Sequence, residues 1–297
     1  MKYTKPPLSI DEQLSILQDR GLIIEDIPFA RNQLAKIGYF RFVNYLYPLE
    51  SDKENHFFKP HSSFDKALNL YYFDKELRSL LFSAIQTVEI ALRSKITHSV
   101  AMKYGAFWFS DIALFTNKSL AEKNLSVVRA EVARSKEDFI LNHYKKYDTP
   151  DLPPVWKTME VLSFGTISKI YRTFSDKVLK KGIAHEFGLP QHKYLESWMM
   201  SLCLLRNFVA HHMRVWNRNF SVLPQLPEYL DFSWIDSTKD IPPKVYSPLC
   251  CLIYLQNQIH PDNLFVKNFK SLLSTYSNID THAMGFPDNW QEQPLWN

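Results

Sequence analysis

The strongest constraint on the fold is a continuous helical pattern over residues 63–102. Apolar side chains recur there at spacings of three and four, which places them on one face of an α-helix. Glu89 and Arg93 are four residues apart on this helix and are predicted to pair, and Gly105 follows as a stop signal. The apolar face consists of Leu77, Leu80, Leu81, Ala84, Ile85, Val88, Leu92 and Ile96.

The rest of the chain also favours helices. Ser9 and Glu12 have the spacing of a capping box at the start of the first helix, and Gly165 and Thr166 interrupt or cap a later one. The chain has only 7 glycines among 297 residues, and no period-2 run is long enough to predict a sheet, so the class is all-α. The other helices are predicted at 10–20, which follows the Ser9 cap, and at 27–37, 119–146, 156–174, 191–217, 248–258 and 262–275.

Composition excludes several classes of protein. The formal net charge of +4 permits nucleic-acid binding without demanding it. The three cysteines, Cys203, Cys250 and Cys251, have the spacing of neither a disulfide framework nor a zinc ribbon. No apolar run could span a membrane, and the N-terminus lacks a signal core. We therefore expect a cytoplasmic protein that binds no membrane, metal or cofactor. Phosphate-binding glycine loops, zinc-protease helices and serine elbows are absent from the sequence.

The chemistry is concentrated in residues 206–217, Arg-Asn-Phe-Val-Ala-His-His-Met-Arg-Val-Trp-Asn. Arg206 and Asn207 precede His211 in an Arg-Asn-x-x-x-His spacing. A cation, an amide and an imidazole are the groups that metal-free phosphodiester cleavage needs. The same residues could instead form a buried polar network that holds helices together.

A helical wheel divides this motif between two faces. Arg206 falls at about 20° from Leu195, inside the apolar stripe, whereas His211 falls at about 160°. A single straight helix would therefore not bring both side chains to one phosphate, but two copies of the chain could combine their motifs across a two-fold axis. Asn207 and Arg214 fall near His211 and form a polar cluster beside the stripe. The stripe is predicted to contain Trp198, Met199, Leu202, Val209 and Met213.

The motif resembles that of the HEPN superfamily, Arg-x(4–6)-His with a polar residue after the arginine. The whole string is similar to that of the abortive-infection (AbiD/AbiF-like) phage-resistance family. Further blocks match this family in order: Lys5-Pro-Pro-Leu-Ser-Ile-Asp-Glu-Gln, Ile37-Gly-Tyr-Phe-Arg-Phe, Val88-Glu-Ile-Ala-Leu-Arg93, Tyr104-Gly-Ala-Phe, Ser163-Phe-Gly-Thr-Ile-Ser and Met284-Gly-Phe-Pro.

The resemblance implies an HEPN-type helical bundle at 61–297 with an N-terminal helical extension at 1–60, the boundary that the polar stretch 50–56 suggests. It also implies a metal-independent endoribonuclease toxin of phage defence that acts as a homodimer and is associated with a structured non-coding RNA. A non-catalytic RNA-binding or scaffold protein is the alternative.

The motif residues are assigned separate roles on this reading. Arg206 stabilises the phosphorane, Asn207 orients the histidine, and His211 acts as base or acid. His212 and Arg214 support them. His212 could instead be the second proton carrier or lie on the helix face, and Arg214 could form a surface ion pair. Further RNA contacts are predicted at Tyr39, Arg41, Tyr45, Arg93, Lys145 and Lys146. For each of them, packing, internal pairing or a solvated surface is the alternative.

Overall fold

The computed structural model describes residues 2, 4, 6–276 and 278–297. Lys5, which opens the first of the sequence blocks named above, lies outside these residues. The described residues form twelve α-helices and one small two-stranded sheet, which confirms the predicted all-α class. No helix in the described ranges is long and apolar enough to cross a membrane.

The chain forms two compact units. Unit 1 comprises residues 1–78 and 269–279, and unit 2 comprises 79–268 and 280–297. The domain boundary at residue 60, which was inferred from the sequence, remains a prediction.

Unit 1 consists mainly of short elements, and its first two helices have local side-chain caps. Ser9 and Glu12 form the predicted capping box, in which the Glu12 carboxylate accepts the N–H of Ser9 at 2.6 Å. A hairpin over residues 50–58 was not predicted from the sequence, because its two strands are too short to show a period-2 pattern. Asp52 closes the turn by accepting the N–H of Glu54 at 2.9 Å. In chain order the elements are α1 (Ile10–Asp19), α2 (Ile27–Ile37), α3 (Tyr39–Leu46), β1 (Glu50–Asp52), β2 (Phe57–Phe58) and the first part of α4 (Phe64–Tyr104).

Unit 2 contains most of the helices. The remainder of α4 buries the predicted apolar face, including Leu81, Val88 and Leu92. The other elements are α5 (Lys118–Arg134), α6 (Asp138–Lys146), α7 (Val155–Val161), α8 (Phe164–Thr173), α9 (Lys177–His185), α10 (His192–Ala210), α11 (Tyr246–Ile259) and the first part of α12 (Phe265–Thr275).

Two of the predicted long helices are broken. The segment 119–146 divides into α5 and α6 because Ser135 is extended and its Oγ accepts the N–H of Glu137 at 3.3 Å. The segment 156–174 divides before Phe164, where Ser163 caps α8 and donates its backbone N–H to the Glu131 carboxylate at 2.8 Å. The cap is therefore Ser163, and neither Gly165 nor Thr166 interrupts the helix.

The core of unit 2 surrounds α10, which packs against α8, α9 and α11. Trp198 of α10 stacks on Trp234 with ring centroids 5.5 Å apart, and Tyr254 of α11 meets both rings edge-on. The aromatic C-terminal segment is packed, since Trp290 and Trp296 are both buried and contact Phe286. The ring contacts of Trp198 hold α10, the helix that carries the candidate motif.

Candidate functional site

Helix α10 presents Arg206 at the edge of its buried face. The apolar stripe is formed without Arg206 by fully buried side chains, which include Leu195, Trp198, Leu202 and Leu205. Arg206 lies on this side of the regular helix, as the helical wheel predicts, but 36% of its side chain is exposed.

Arg206 belongs to a charged network between α4, α7 and α10. The Glu89 carboxylate accepts Arg93 Nη2 at 2.8 Å, which is the predicted pair, and lies 3.6 Å from Arg206 Nε. Arg93 Nη1 also donates to the backbone oxygens of Met159 and Glu160, at 2.8 and 2.7 Å. Glu89 thus holds Arg93 closely and Arg206 at longer range.

This network lines an open pocket of about 240 Å³. Its floor combines charge with apolar side chains, so that a ligand there would meet both a cation and hydrocarbon surface. The lining residues are Phe82, Ile85, Gln86, Glu89, Ile90, Arg93, Glu160 and Arg206.

The helix ends earlier than the sequence predicted. The segment 191–217 is helical only as far as Ala210, and the chain then turns in a Schellman motif. In this motif the N–H of His212 donates to Val209 O at 3.2 Å and that of Met213 to Phe208 O at 2.8 Å. Met213 is exposed rather than part of the apolar stripe, because the helix no longer carries it to the core.

The turn sets the positions of both histidines. His211 is the C-cap residue, and its side chain is exposed. His212 has φ 55°, the left-handed conformation that glycine usually occupies at this position. Asn207, one turn earlier, is exposed and accepts the N–H of His211 through its backbone oxygen at 3.0 Å. The helix end therefore presents Asn207 and His211 to solvent.

Beyond the turn lies a group of cations. Arg214 Nη2 donates to Asn217 O at 3.4 Å, and Lys244 Nζ donates to Asn217 Oδ1 at 2.9 Å. The guanidinium of Arg218 stacks 4.0 Å from the ring centre of Phe208. Sequence reasoning did not identify Lys244 or Arg218 as site residues. The available signal for Lys244 was the Met284-Gly-Phe-Pro block, whose Gly285 lies against the Lys244 side chain.

The remaining predicted RNA contacts differ in accessibility. Tyr45 is only 1% exposed and donates its hydroxyl hydrogen to Asp74 at 2.7 Å, so the prediction that it stacks on bases is wrong. Burial, followed by the charge of Asp74, raises the pKa of Tyr45. Tyr39 is half-buried and Arg41 exposed, and both belong to unit 1.

In unit 2, Lys145 and Lys146 at the end of α6 are exposed, and Lys146 Nζ lies 5.2 Å from the Tyr147 ring centre. The Arg93 side chain is only 11% exposed, so it supports the network instead of offering a free cation to RNA. Within the part of the chain that the structure describes, no cluster of three or more His, Cys, Asp or Glu side chains could hold a metal ion.

Comparison with known proteins identifies a family. The family model described as Abi-like protein covers residues 32–217, from α2 through the whole candidate motif. No curated protein and no solved structure matches the chain.

Proposed function

The chain belongs to the Abi-like protein family, and from that premise we propose that it is a metal-independent RNA endonuclease of the HEPN type. The family supports a role in phage abortive infection. Cleavage of RNA by a toxin is one way to arrest an infected cell.

The observation that carries the proposal is the loose hold on Arg206. Its Nε lies 3.6 Å from Glu89, whereas Arg93 takes the closer contact at 2.8 Å. The Arg206 side chain is also half-exposed, so that a phosphate can replace Glu89 as its partner at a small desolvation cost. An arginine fully enclosed by partners would not offer that exchange.

The proposed reaction is transfer within the RNA strand. His211 removes the proton from a ribose 2′-hydroxyl, whose oxygen forms a bond to the adjacent phosphorus, and the bond from phosphorus to the 5′-oxygen breaks. A second histidine supplies a proton to the leaving 5′-oxygen, and Arg206 stabilises the charge on the phosphorane. The products are a 2′,3′-cyclic phosphate and a 5′-hydroxyl.

We assign the second histidine to a second copy of the chain. Arg206 faces the pocket beside α4, while His211 lies on the exposed turn after the helix. A homodimer that joins two helix ends would place two arginines and two histidines around one phosphate.

The second candidate is a non-catalytic protein that holds a structured RNA. The ion pair of Arg206 with Glu89 favours it, because the cation already has a partner within its own chain. The two candidates differ in whether His211 is needed for any activity beyond binding.

The test is RNA cleavage in EDTA, together with growth arrest on expression. We expect His211→Ala and Arg206→Ala each to lower the cleavage rate by at least about a hundredfold. His260→Ala is the control for the histidine, because His260 is also an exposed C-cap residue, at the end of α11. Arg134→Ala is the control for the arginine, because Arg134 lies 3.7 Å from its own glutamate, Glu131.

Each result selects one of the candidates. Cleavage that is abolished in both motif variants and retained in both controls supports the nuclease. Full cleavage by His211→Ala contradicts the mechanism. Tight RNA binding by an inert wild-type protein would favour the scaffold.

A further inference from the structure

Asn217 places two cations close together beyond the helix end. Its backbone oxygen accepts Arg214 Nη2 and its side-chain oxygen accepts Lys244 Nζ. The φ of 50° at Asn217 is left-handed, a conformation that asparagine tolerates better than most residues. One residue therefore directs a guanidinium and an ammonium to the same region.

The two cations interact. Burial lowers the pKa of Lys244, and the charge of Arg214 lowers it further. Two like charges in this position repel each other, and an anion bound between them would remove that repulsion. Phosphate suits the pair, because arginine can bind it through two donors and lysine acts as a point charge.

The position of Lys244 is fixed by two other segments. The N–H of Phe220 donates to Pro243 O at 2.8 Å, which joins the turn after α10 to the residue before Lys244. A Cβ at Gly285 would lie 2.9 Å from Lys244 Cβ, and Gly285 has φ 87°. The Met284-Gly-Phe-Pro block thus packs against the stem of Lys244, and the glycine leaves room for it.

We propose that Arg214 and Lys244 form a phosphate clamp for the backbone of an RNA strand whose scissile bond lies at His211. Arg214 is half-buried and follows His211 by three residues, directly after the turn, so that the clamp would hold a neighbouring phosphate. Asn217 acts as a positioning residue for both cations. The inference rests on the proposed function for the identity of the ligand.

The experiment measures binding of a short, mixed-sequence, single-stranded RNA to the full chain. A His211→Ala background prevents cleavage of the probe. The salt concentration is varied from about 50 to about 200 mM, over which phosphate contacts weaken steeply.

In this assay we expect Lys244→Gln to weaken binding about tenfold and to reduce the slope of log affinity against log salt by about 0.7, the loss of one phosphate contact. Lys244→Arg keeps the charge and should keep the slope. Lys239→Gln is the matched control, because Lys239 is an exposed lysine of the same irregular stretch.

A second variant tests the positioning role. Asn217→Gly retains access to the left-handed conformation and removes the side-chain oxygen that holds Lys244. This variant should reduce the slope of log affinity against log salt, while its midpoint of thermal unfolding stays near that of the His211→Ala chain. A slope equal to that of the Lys239→Gln control in both Lys244→Gln and Asn217→Gly overturns the clamp.

The results separate this inference from the proposed function. If the wild-type chain cleaves RNA and both Lys244→Gln and Asn217→Gly keep the slope of the control, only the clamp is overturned. If Lys244→Gln weakens binding but the wild-type chain never cleaves RNA, the clamp stands and the nuclease does not. A wild-type chain that binds no RNA overturns both.

Discussion

At the scale of single residues, the unusual backbone of His212 has a measurable consequence. With φ at 55°, any residue with a Cβ is strained there by roughly 1 kcal/mol relative to glycine. We expect His212→Gly to be more stable than His212→Ala by about that amount in urea unfolding. Both variants lose the imidazole, so the difference between their unfolding free energies reports the backbone strain alone. A His212→Ala chain as stable as His212→Gly, or more stable, would contradict the left-handed conformation.

Glu89 is the second residue whose role can be measured. It neutralises Arg93, whose side chain is 11% exposed, and also contacts Arg206. Removing its charge leaves a buried guanidinium with carbonyl partners only, so Glu89→Gln should lower the free energy of unfolding by about 2 kcal/mol. Glu122→Gln, at an exposed position on α5, should change it by less than about 0.5 kcal/mol. Equal unfolding free energies for the two variants would exclude the network from a stabilising role.

At the scale of elements, α9 depends on its N-cap. Asp176 Oδ1 accepts the N–H of Leu179 at 2.9 Å, and its Oδ2 accepts Lys103 Nζ at 2.6 Å. The Leu179 N–H first, and then Lys103, lower the pKa of Asp176 from 3.8 to about 2. Because the pKa is lower in the folded state, the stabilisation is complete above the unfolded value and is lost as the pH falls from about 3.8 towards about 2.

We therefore expect Asp176→Asn to be less stable than the wild type at neutral pH, by about 1 kcal/mol for a weakened cap. Urea unfolding at several pH values should show the difference shrinking as the pH falls below 4. Asp148→Asn, at an exposed position, provides the comparison. A difference between wild type and Asp176→Asn that is independent of pH would show that the Asp176 charge does not stabilise the folded state.

The helices that were predicted correctly and those that were not differ in what ends them. α1 and α2 were predictable because Ser9 and Asp26 cap them locally, with Gly21 and Gly38 as stops. The end of α10 at Ala210 was missed because a histidine occupies the position where glycine is expected. The start of α8 was misplaced because Ser163 is held by Glu131, which lies 32 residues earlier.

In the candidate site, too, the sequence did not reveal residues whose partners lie far away along the chain. A spacing rule located Arg206 and His211, because both belong to one short motif. Lys244 could not be found in this way, since it follows two prolines in an irregular stretch and reaches Asn217 from 27 positions away. Tyr45 was misjudged because the sequence does not reveal its buried partner Asp74.

At the scale of the whole molecule, the proposal requires two chains for each active site. One chain supplies one Arg206 and one His211, and a single histidine cannot serve as both the base and the acid. An inactive chain should therefore inactivate the wild-type chain with which it pairs. A dimer that cleaves RNA should elute at about twice the 35.0 kDa of one chain. That mass alone does not show a shared site, but the composition of mixed dimers can.

We therefore expect His211→Ala to act as a dominant negative when it is co-expressed with the wild-type chain. If mixed dimers are inactive and subunits pair at random, the cleavage rate per wild-type subunit at equal amounts falls to about half. Co-expression with His260→Ala should leave the rate per wild-type subunit unchanged, because those mixed dimers keep both motifs. A rate that is equally insensitive to both partners would mean that each chain cleaves RNA by itself, and the composite site would have to be abandoned.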